Sequence, residues 1–169
     1  MLGLLGFYDE LNADPGPGAG QPNGSLHEAV RPTGEPDEAD LVTYLDAGHY
    51  LIDVMEFGRD VITGHPHRHS PGCSSLLTDG TWLWRQDFPH YVETHHVALP
   101  GAFTEHARGQ DYRMPPLITA EFAPHYNETM PVVGWTSLVP WPSTAAVLEP
   151  PRRGATGTAD SGTAMSGPC

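Results

Sequence analysis

The chain has 169 residues, of which 21 are acidic and eight basic, and its formal net charge at pH 7 is -13. A chain this acidic has no basic face for a phosphate backbone, so we expect no nucleic-acid partner. Two cysteines are too few for a disulfide framework, and no apolar stretch is long enough to span a membrane, so we expect a cytoplasmic protein without membrane association.

Composition divides the chain into three parts. Residues 1–24 form an N-terminal segment and linker, which ends in ADPGPGAGQPNG, a composition that excludes regular secondary structure. Residues 25–142 carry the periodic patterns of a single domain. Residues 143–169 are rich in Ala, Thr, Gly, Ser and Pro and have little to bury, which predicts a disordered tail.

Two helices open the predicted domain. Ser25 and Glu28 have the spacing of a capping box, in which each side chain binds a backbone N–H of the first turn. The second helix begins near Pro36, a residue that suits a first helical turn, and Leu41 and Leu45 share one of its faces.

The pattern then changes to that of β-strands, which we predict at residues 49–57, 61–63, 74–78 and 81–85. The last two runs flank Asp79 and Gly80, and Asp-Gly between β-prone runs is the strongest short signal for a hairpin with a type I′ turn. Trp82 and Trp84 are two residues apart and should therefore point to the same side of the hairpin.

The remaining predicted elements are a helix capped by Asp87, a helix opening at Leu99, and late strands at 117–122 and 132–139. The strands are bracketed by helices along the chain. This order predicts an α+β fold, in which a small antiparallel sheet of about four to six strands carries helices mainly on one face.

Histidines form the first group of candidate site residues, because neutral imidazole is the commonest metal ligand in proteins. The candidates for a divalent metal such as zinc are His65, His67 and His69 in one polar loop, and His95, His96 and His106 on the later helices. The loop contains no acidic residue, so a solvated polar loop is the competing interpretation. His95 and His96 would also point about 100° apart on a helix.

Aromatic residues form the second group, which consists of Tyr50, Trp82, Trp84, Phe88, Tyr91 and Phe103. If exposed, these residues would form an interface, since Trp, Tyr and Arg dominate binding hot spots. We take Trp82, Trp84, Arg85 and Tyr91 as the candidate binding residues. If buried, the same aromatic residues are core, and the hairpin geometry favours core packing for the two tryptophans.

Residues 74–108 read SSLLTDGTWLWRQDFPHYVETHHVALPGAFTEHAR, a hairpin followed by Tyr-Val, a His and a Leu-Pro-x-x-Phe helix. The residues that carry this pattern are Thr78, Asp79, Gly80, Trp82, Trp84, Tyr91, Val92, His96, Leu99, Pro100 and Phe103. With the leading FYDEL at residues 7–11, the pattern resembles a group of small, largely uncharacterised proteins of high-GC bacteria. Some acidic proteins of this kind are regarded as immunity-type partners of toxins. The resemblance implies no catalytic residue.

The sequence contains no nucleotide-binding loop, zinc ribbon or catalytic triad pattern. Together with the negative charge, this favours a non-enzymatic interaction module, an immunity-like or regulatory partner of a basic protein. The alternative is a metal-binding protein or metal-dependent enzyme that uses the histidines between residues 65 and 106.

Overall fold

A computed structural model of the chain describes residues 1–11, 23–117 and 123–127. The tail expected at 143–169 and the strand expected at 132–139 lie outside the described residues, as do residues 118–122 of the other late strand.

Two helices, three strands and two further helices follow one another after an N-terminal strand and a 3-10 turn. In chain order they are β1 (Gly3–Leu5), a 3-10 turn (Asp9–Leu11), α1 (Leu26–Ala29), α2 (Glu38–Asp46), β2 (His49–Ile52), β3 (Leu76–Thr78), β4 (Trp82–Arg85), α3 (Phe88–His95) and α4 (Gly101–Gly109). Residues 123–127 add a helical turn. The predicted α+β class is confirmed, because one small sheet is combined with separate helices.

The sheet has four strands in the order β1-β4-β3-β2. The predicted antiparallel pairing holds for β2 with β3 and for β3 with β4. Strand β1 instead runs parallel to β4, with Leu4 opposite Leu83. The sheet is therefore mixed, and its parallel strand comes from the N-terminal segment, where no strand was expected.

The two faces of the sheet bury different apolar clusters. Leu77 and Trp84 belong to the cluster that includes the helices, whereas the adjacent Leu76 and Leu83 belong to the cluster on the opposite face. The larger cluster joins the sheet to α2, α3 and α4 through Leu41, Tyr44, Leu45, Phe88, Tyr91, Val92, Phe103 and Ala107. The smaller one is Leu2, Phe7, Leu76, Leu83 and Tyr126. This confirms that helices pack mainly on one face.

The predicted hairpin is present, but its turn is displaced by one residue. Gly80, with φ of 92°, is the residue of the turn that has a positive φ, and the Asp79 N–H donates to the Trp82 carbonyl at 3.4 Å. The central pair is therefore Gly80 and Thr81, as in a type II′ turn, which requires glycine at its first central position. Asp79 stays outside the pair because its Oδ1 accepts the backbone N–H groups of Thr81 and Trp82 at 2.8 and 2.7 Å.

The capping box predicted for α1 is wrong. The Ser25 hydroxyl donates to Glu10 Oε1 at 2.5 Å, and the Leu26 N–H donates to Glu10 Oε2 at 2.8 Å. A carboxylate from the preceding segment thus caps the helix, because an anion is a stronger acceptor for the N-terminal N–H groups than a hydroxyl is. The contact ties the N-terminal segment to the start of the helical layer.

Candidate functional site

Two of the predicted binding residues, Trp84 and Tyr91, are fully buried. Trp84 donates its indole N–H to the Leu45 carbonyl at 3.1 Å. Trp82 is half-buried and packs edge-on against Phe103, with ring centroids 5.5 Å apart. Trp84 and Tyr91 therefore belong to the core, as the alternative interpretation of the aromatic residues had it.

Arg85 is the fourth predicted binding residue, and its guanidinium has an internal partner. It donates two hydrogen bonds to the Asp87 carboxylate at 2.9 and 2.8 Å, and its side chain is 14% exposed. Because Arg85 binds both carboxylate oxygens, Asp87 makes no side-chain cap to α3, contrary to expectation. Arg85 serves to join β4 to the start of that helix.

Large apolar side chains are exposed next to the edge strand β2. Tyr50, Met55 and Phe57 are 60%, 99% and 80% exposed. With Asp53 and Glu56 we call these five residues the edge patch. Clustered exposed apolar residues with polar neighbours are typical of interaction sites.

The edge patch surrounds an open groove of about 300 Å³. Its far wall is formed by Pro71 and Gly72, and Pro71 pairs with Phe57 through an isolated antiparallel bridge. The Gly72 N–H also donates to the Glu56 carbonyl at 2.7 Å. These backbone contacts hold the segment that carries Met55 in place beside the sheet.

Among the residues that the structure describes, the carboxylates of the edge patch form no ion pair. Glu56 accepts a short hydrogen bond from the Ser74 hydroxyl, and the Ser75 hydroxyl lies 3.3 Å from Asp53 Oδ1. Within the described part of the chain, no Arg or His nitrogen lies within 4.0 Å of either carboxylate. The described arginines that form ion pairs do so with other carboxylates, and they are Arg31, Arg68, Arg85, Arg108 and Arg113.

Four of the six predicted metal ligands contact separate partners. His69 lies 3.3 Å from Asp46, His96 lies 2.8 Å from Glu38, and His106 lies 2.9 Å from Asp79. His65 is exposed and contributes its backbone N–H to the Thr63 hydroxyl at 3.3 Å. The six histidines therefore do not form one centre.

A different set of ligand-type residues does converge, which we call the Asp60 triad and define as Asp60, His90 and His95. Asp60 Oδ2 lies 2.9 Å from His90 Nε2 and 2.6 Å from His95 Nε2, and the three atoms are all within 4.8 Å of one another. His95 was predicted as a ligand, whereas Asp60 and His90 were missed. The residues that follow, 61–63, form a turn and not the predicted strand.

The Asp60 carboxylate is charged although it is 2% exposed. Burial opposes its ionisation, but hydrogen bonds from His95 and His90, and from the N–H groups of Ile62 and Thr63, outweigh burial and hold the pKa of Asp60 below its usual range. The triad therefore places a charged carboxylate beside the rings of His90 and His95.

His67, another predicted ligand, lies beside the triad. Its ring stacks on that of His90 with centroids 4.3 Å apart. Both of its ring nitrogens are buried and have no hydrogen-bond partner within the described residues. Burial, followed by the proximity of His90, lowers the pKa of His67, so its imidazole is neutral near pH 7.

Within the described residues, no helix combines the length and the apolar character needed to cross a bilayer. No family model, curated protein or solved structure matches the chain. The resemblance to proteins of high-GC bacteria accordingly stays a prediction, and function has to be inferred from the residues themselves.

Proposed function

We propose that the chain is a non-enzymatic interaction module that binds a basic protein through the edge patch. The observation that carries the proposal is the combination of three exposed apolar side chains with two carboxylates that form no ion pair within the described part of the chain. An immunity-like or regulatory role is the form of this function that agrees with the sequence resemblance.

The apolar part of the patch supplies binding energy. Met55 and Phe57 are 99% and 80% exposed, so a partner would remove nearly all of their surface from water. Full burial of a Phe or Met side chain contributes about 1.5–3 kcal/mol. The groove beside them provides a concave surface into which an apolar or aromatic side chain of the partner would fit.

The two carboxylates of the edge patch favour a partner with positive charge. Asp53 and Glu56 would each leave a negative charge desolvated unless the partner supplied an Arg or Lys. The net charge of -13 acts in the same direction over longer range, because it accelerates encounters with basic proteins and repels acidic ones. The partner should therefore carry basic residues next to an apolar anchor.

The proposal keeps the cytoplasmic setting expected from the sequence. Cys73 is a free, buried cysteine, and burial raises the pKa of its thiol, followed by the nearby Asp87 and Glu56 charges. A buried thiol of this kind suits a reducing compartment and has no catalytic character.

Peptide display against the immobilised protein tests the proposal and does not require the partner to be identified first. Random peptides would be selected on the wild-type chain, and the enriched sequences synthesised and measured individually. We expect enriched peptides that combine Arg or Lys with an aromatic or large aliphatic residue. Their affinity should fall between about 50 and about 500 mM NaCl, since salt screens exposed charges.

Two variants and a matched control locate the binding surface. Phe57→Ser removes an apolar anchor, and the double variant Asp53→Asn/Glu56→Gln removes both charges, so each should weaken peptide binding. The control is Glu28→Gln/Asp40→Asn, which removes the same charge from exposed positions on α1 and α2. Peptides without basic residues, or equal affinity for the control and the patch variants, would contradict the proposal.

A further inference from the structure

We propose that Asp60, His90 and His95 bind a single divalent transition-metal ion. Zinc is the ion whose preferred ligands match these residues. Two imidazole nitrogens and one carboxylate oxygen, with a further position for water, form a ligand set that zinc uses in proteins. The site lies apart from the edge patch and is independent of the function proposed for it.

The fold brings the three ligands together from two segments. Helix α3 carries His90 and places His95 at its last residue, while Asp60 lies in the connection between β2 and β3. Asp60 is separated from the two histidines by 30 and 35 residues in the chain. The backbone of this connection also contacts α3, since the Val61 N–H donates to the Tyr91 hydroxyl at 3.2 Å.

The spacing of the ligand atoms is close to what a zinc ion requires. Ligands at about 2.0–2.1 Å from the ion and at tetrahedral angles are about 3.3 Å from one another. The observed distances from Asp60 Oδ2 are 2.9 Å to His90 Nε2 and 2.6 Å to His95 Nε2. Each imidazole would therefore move outward by about half an ångström when the ion binds.

Neighbouring groups already orient two of the ligands. The Thr94 hydroxyl lies 3.2 Å from His90 Nδ1 and can accept the proton that this nitrogen carries when Nε2 binds metal. Asp60 Oδ1 accepts the N–H groups of Ile62 and Thr63 at 2.8 and 3.1 Å, which leaves Oδ2 directed at the histidines. Such outer contacts fix ligand orientation in metal sites.

His67 is a neighbour of the triad whose ring nitrogens are available to a further ligand. Buried polar atoms nearly always have hydrogen-bond partners, yet both ring nitrogens of His67 have none among the described residues. Its ring stacks on the ligand His90. We expect one of these nitrogens to form a hydrogen bond with a water molecule bound to the ion.

The test uses untagged full-length protein purified without a nickel column. The protein would be stripped with a chelator, and zinc binding measured by calorimetry and by elemental analysis after gel filtration. We expect one equivalent of zinc, a higher melting temperature when zinc is present, and visible absorption bands of four-coordinate cobalt when Co²⁺ replaces it. Less than stoichiometric zinc with no change in melting temperature would overturn the proposal.

Variants assign the ligands. His90→Gln and His95→Gln should each abolish the cobalt bands and the zinc-dependent rise in melting temperature. Thr94→Val, at an exposed position, should weaken zinc about 10–100-fold without changing the metal-free melting temperature. The matched control is His65→Gln, an exposed loop histidine, which should bind zinc as the wild type does. If His65→Gln lost zinc instead, the ion would belong to the loop and the Asp60 triad would be excluded.

Circular dichroism of the metal-free variants shows whether each of them is folded. If a histidine variant were unfolded, the cobalt spectrum and stoichiometry of the wild type would still decide whether a metal site exists. Loss of metal in a folded His90→Gln or His95→Gln variant supports the assignment. Retention of one equivalent in both folded variants overturns it.

Discussion

Tyr44 donates its phenolic hydroxyl to Asp79 Oδ2 at 2.7 Å and thereby joins α2 to the turn between β3 and β4. His106 of α4 lies 2.9 Å from the same oxygen, and the backbone N–H groups of Thr81 and Trp82 bind the other oxygen. A turn carboxylate that is 4% exposed is thus held by groups from the sheet and from two helices.

Replacement of Tyr44 by Phe should destabilise the fold. The variant keeps the ring in the core but leaves the buried Asp79 carboxylate without one of its donors, which costs about 1–3 kcal/mol in the free energy of unfolding. Urea unfolding measures the difference. Tyr50→Phe is the matched control, since Tyr50 is 60% exposed; an equal loss of stability in both variants would contradict the role given to the contact.

Stability should fall at alkaline pH because four tyrosines are buried, namely Tyr8, Tyr44, Tyr91 and Tyr126, and burial raises the pKa of Tyr126 as it does those of the others. Burial, and then the Glu10 charge, raises the pKa of Tyr8 to about 12. Burial also raises the pKa values of Tyr44, with its bond to Asp79, and of Tyr91. The folded chain thus holds these protons more tightly than the unfolded chain, whose tyrosines have a pKa of about 10. Their contribution is complete below pH of about 10 and is lost as the pH rises further.

Urea unfolding across this pH range, with tyrosinate absorbance recorded in parallel, measures the alkaline effect. We expect the free energy of unfolding to decrease above pH of about 10 and the buried tyrosines to ionise together with unfolding. A free energy of unfolding that stays constant up to pH of about 12 would contradict the prediction.

Gly48→Ala should destabilise the junction between α2 and β2. A Cβ at this position would lie 2.5 Å from Trp84 Cζ2 and 3.0 Å from Leu77 Cβ, and Trp84 is fully buried and cannot move away. Overpacking of this kind costs about 1–3 kcal/mol. Thermal unfolding tests it against Gly101→Ala at the start of α4, where a Cβ meets no atom within 4 Å and where we expect no loss.

Asp37 should stabilise the fold in a pH-dependent way. Hydrogen bonds from Arg108 and then from Tyr112 hold the pKa of Asp37 below its usual range. A lowered carboxyl pKa contributes stability above the unfolded value of about 4, and this contribution is lost as the pH falls below it. Asp37→Asn should therefore be less stable than wild type at neutral pH, by a small amount for so exposed a cluster.

The stability difference between wild type and Asp37→Asn should shrink below pH of about 4 and also shrink in high salt. Asp40→Asn provides the matched control, because Asp40 is an exposed carboxylate in the same first turn of α2. If the difference for Asp37→Asn were independent of both pH and salt, the hydrogen bonds to Arg108 and Tyr112 would not be its cause.

Helix α2 and the hairpin could be predicted because the residues that indicate each element lie within a few positions of one another in the sequence. The register of the turn could not be predicted, since it depends on the Asp79 carboxylate and on its contact with Tyr44, 35 residues earlier. Strand β1 has three residues, too few for a period, and its parallel pairing with β4 joins distant parts of the chain. Local patterns carry no information on such pairing.

The candidate sites were less predictable. Met55 and Phe57 were assigned to a continuous strand, but the regular strand ends at Ile52 after an irregularity in its register with β3. Histidine spacing indicated His95 but not its partners. No spacing rule joins Asp60 to helix α3, because the connection that carries Asp60 is held by hydrogen bonds from its backbone N–H groups to the side chains of Tyr91 and Asp60 and not by a motif.

The turn between β3 and β4 also affects how fast the chain undergoes spontaneous chemical modification. In an Asp-Gly peptide the glycine nitrogen attacks the aspartate side chain and closes a five-membered succinimide, since glycine has no side chain to hinder the reaction. Here the Gly80 N–H donates to Thr78 Oγ1 at 3.0 Å, and both oxygens of Asp79 are engaged. The folded chain therefore restrains both reacting groups. Isoaspartate at residue 79 should form chiefly in molecules that have unfolded. The amount of isoaspartate should therefore increase with the fraction of time that the protein spends unfolded.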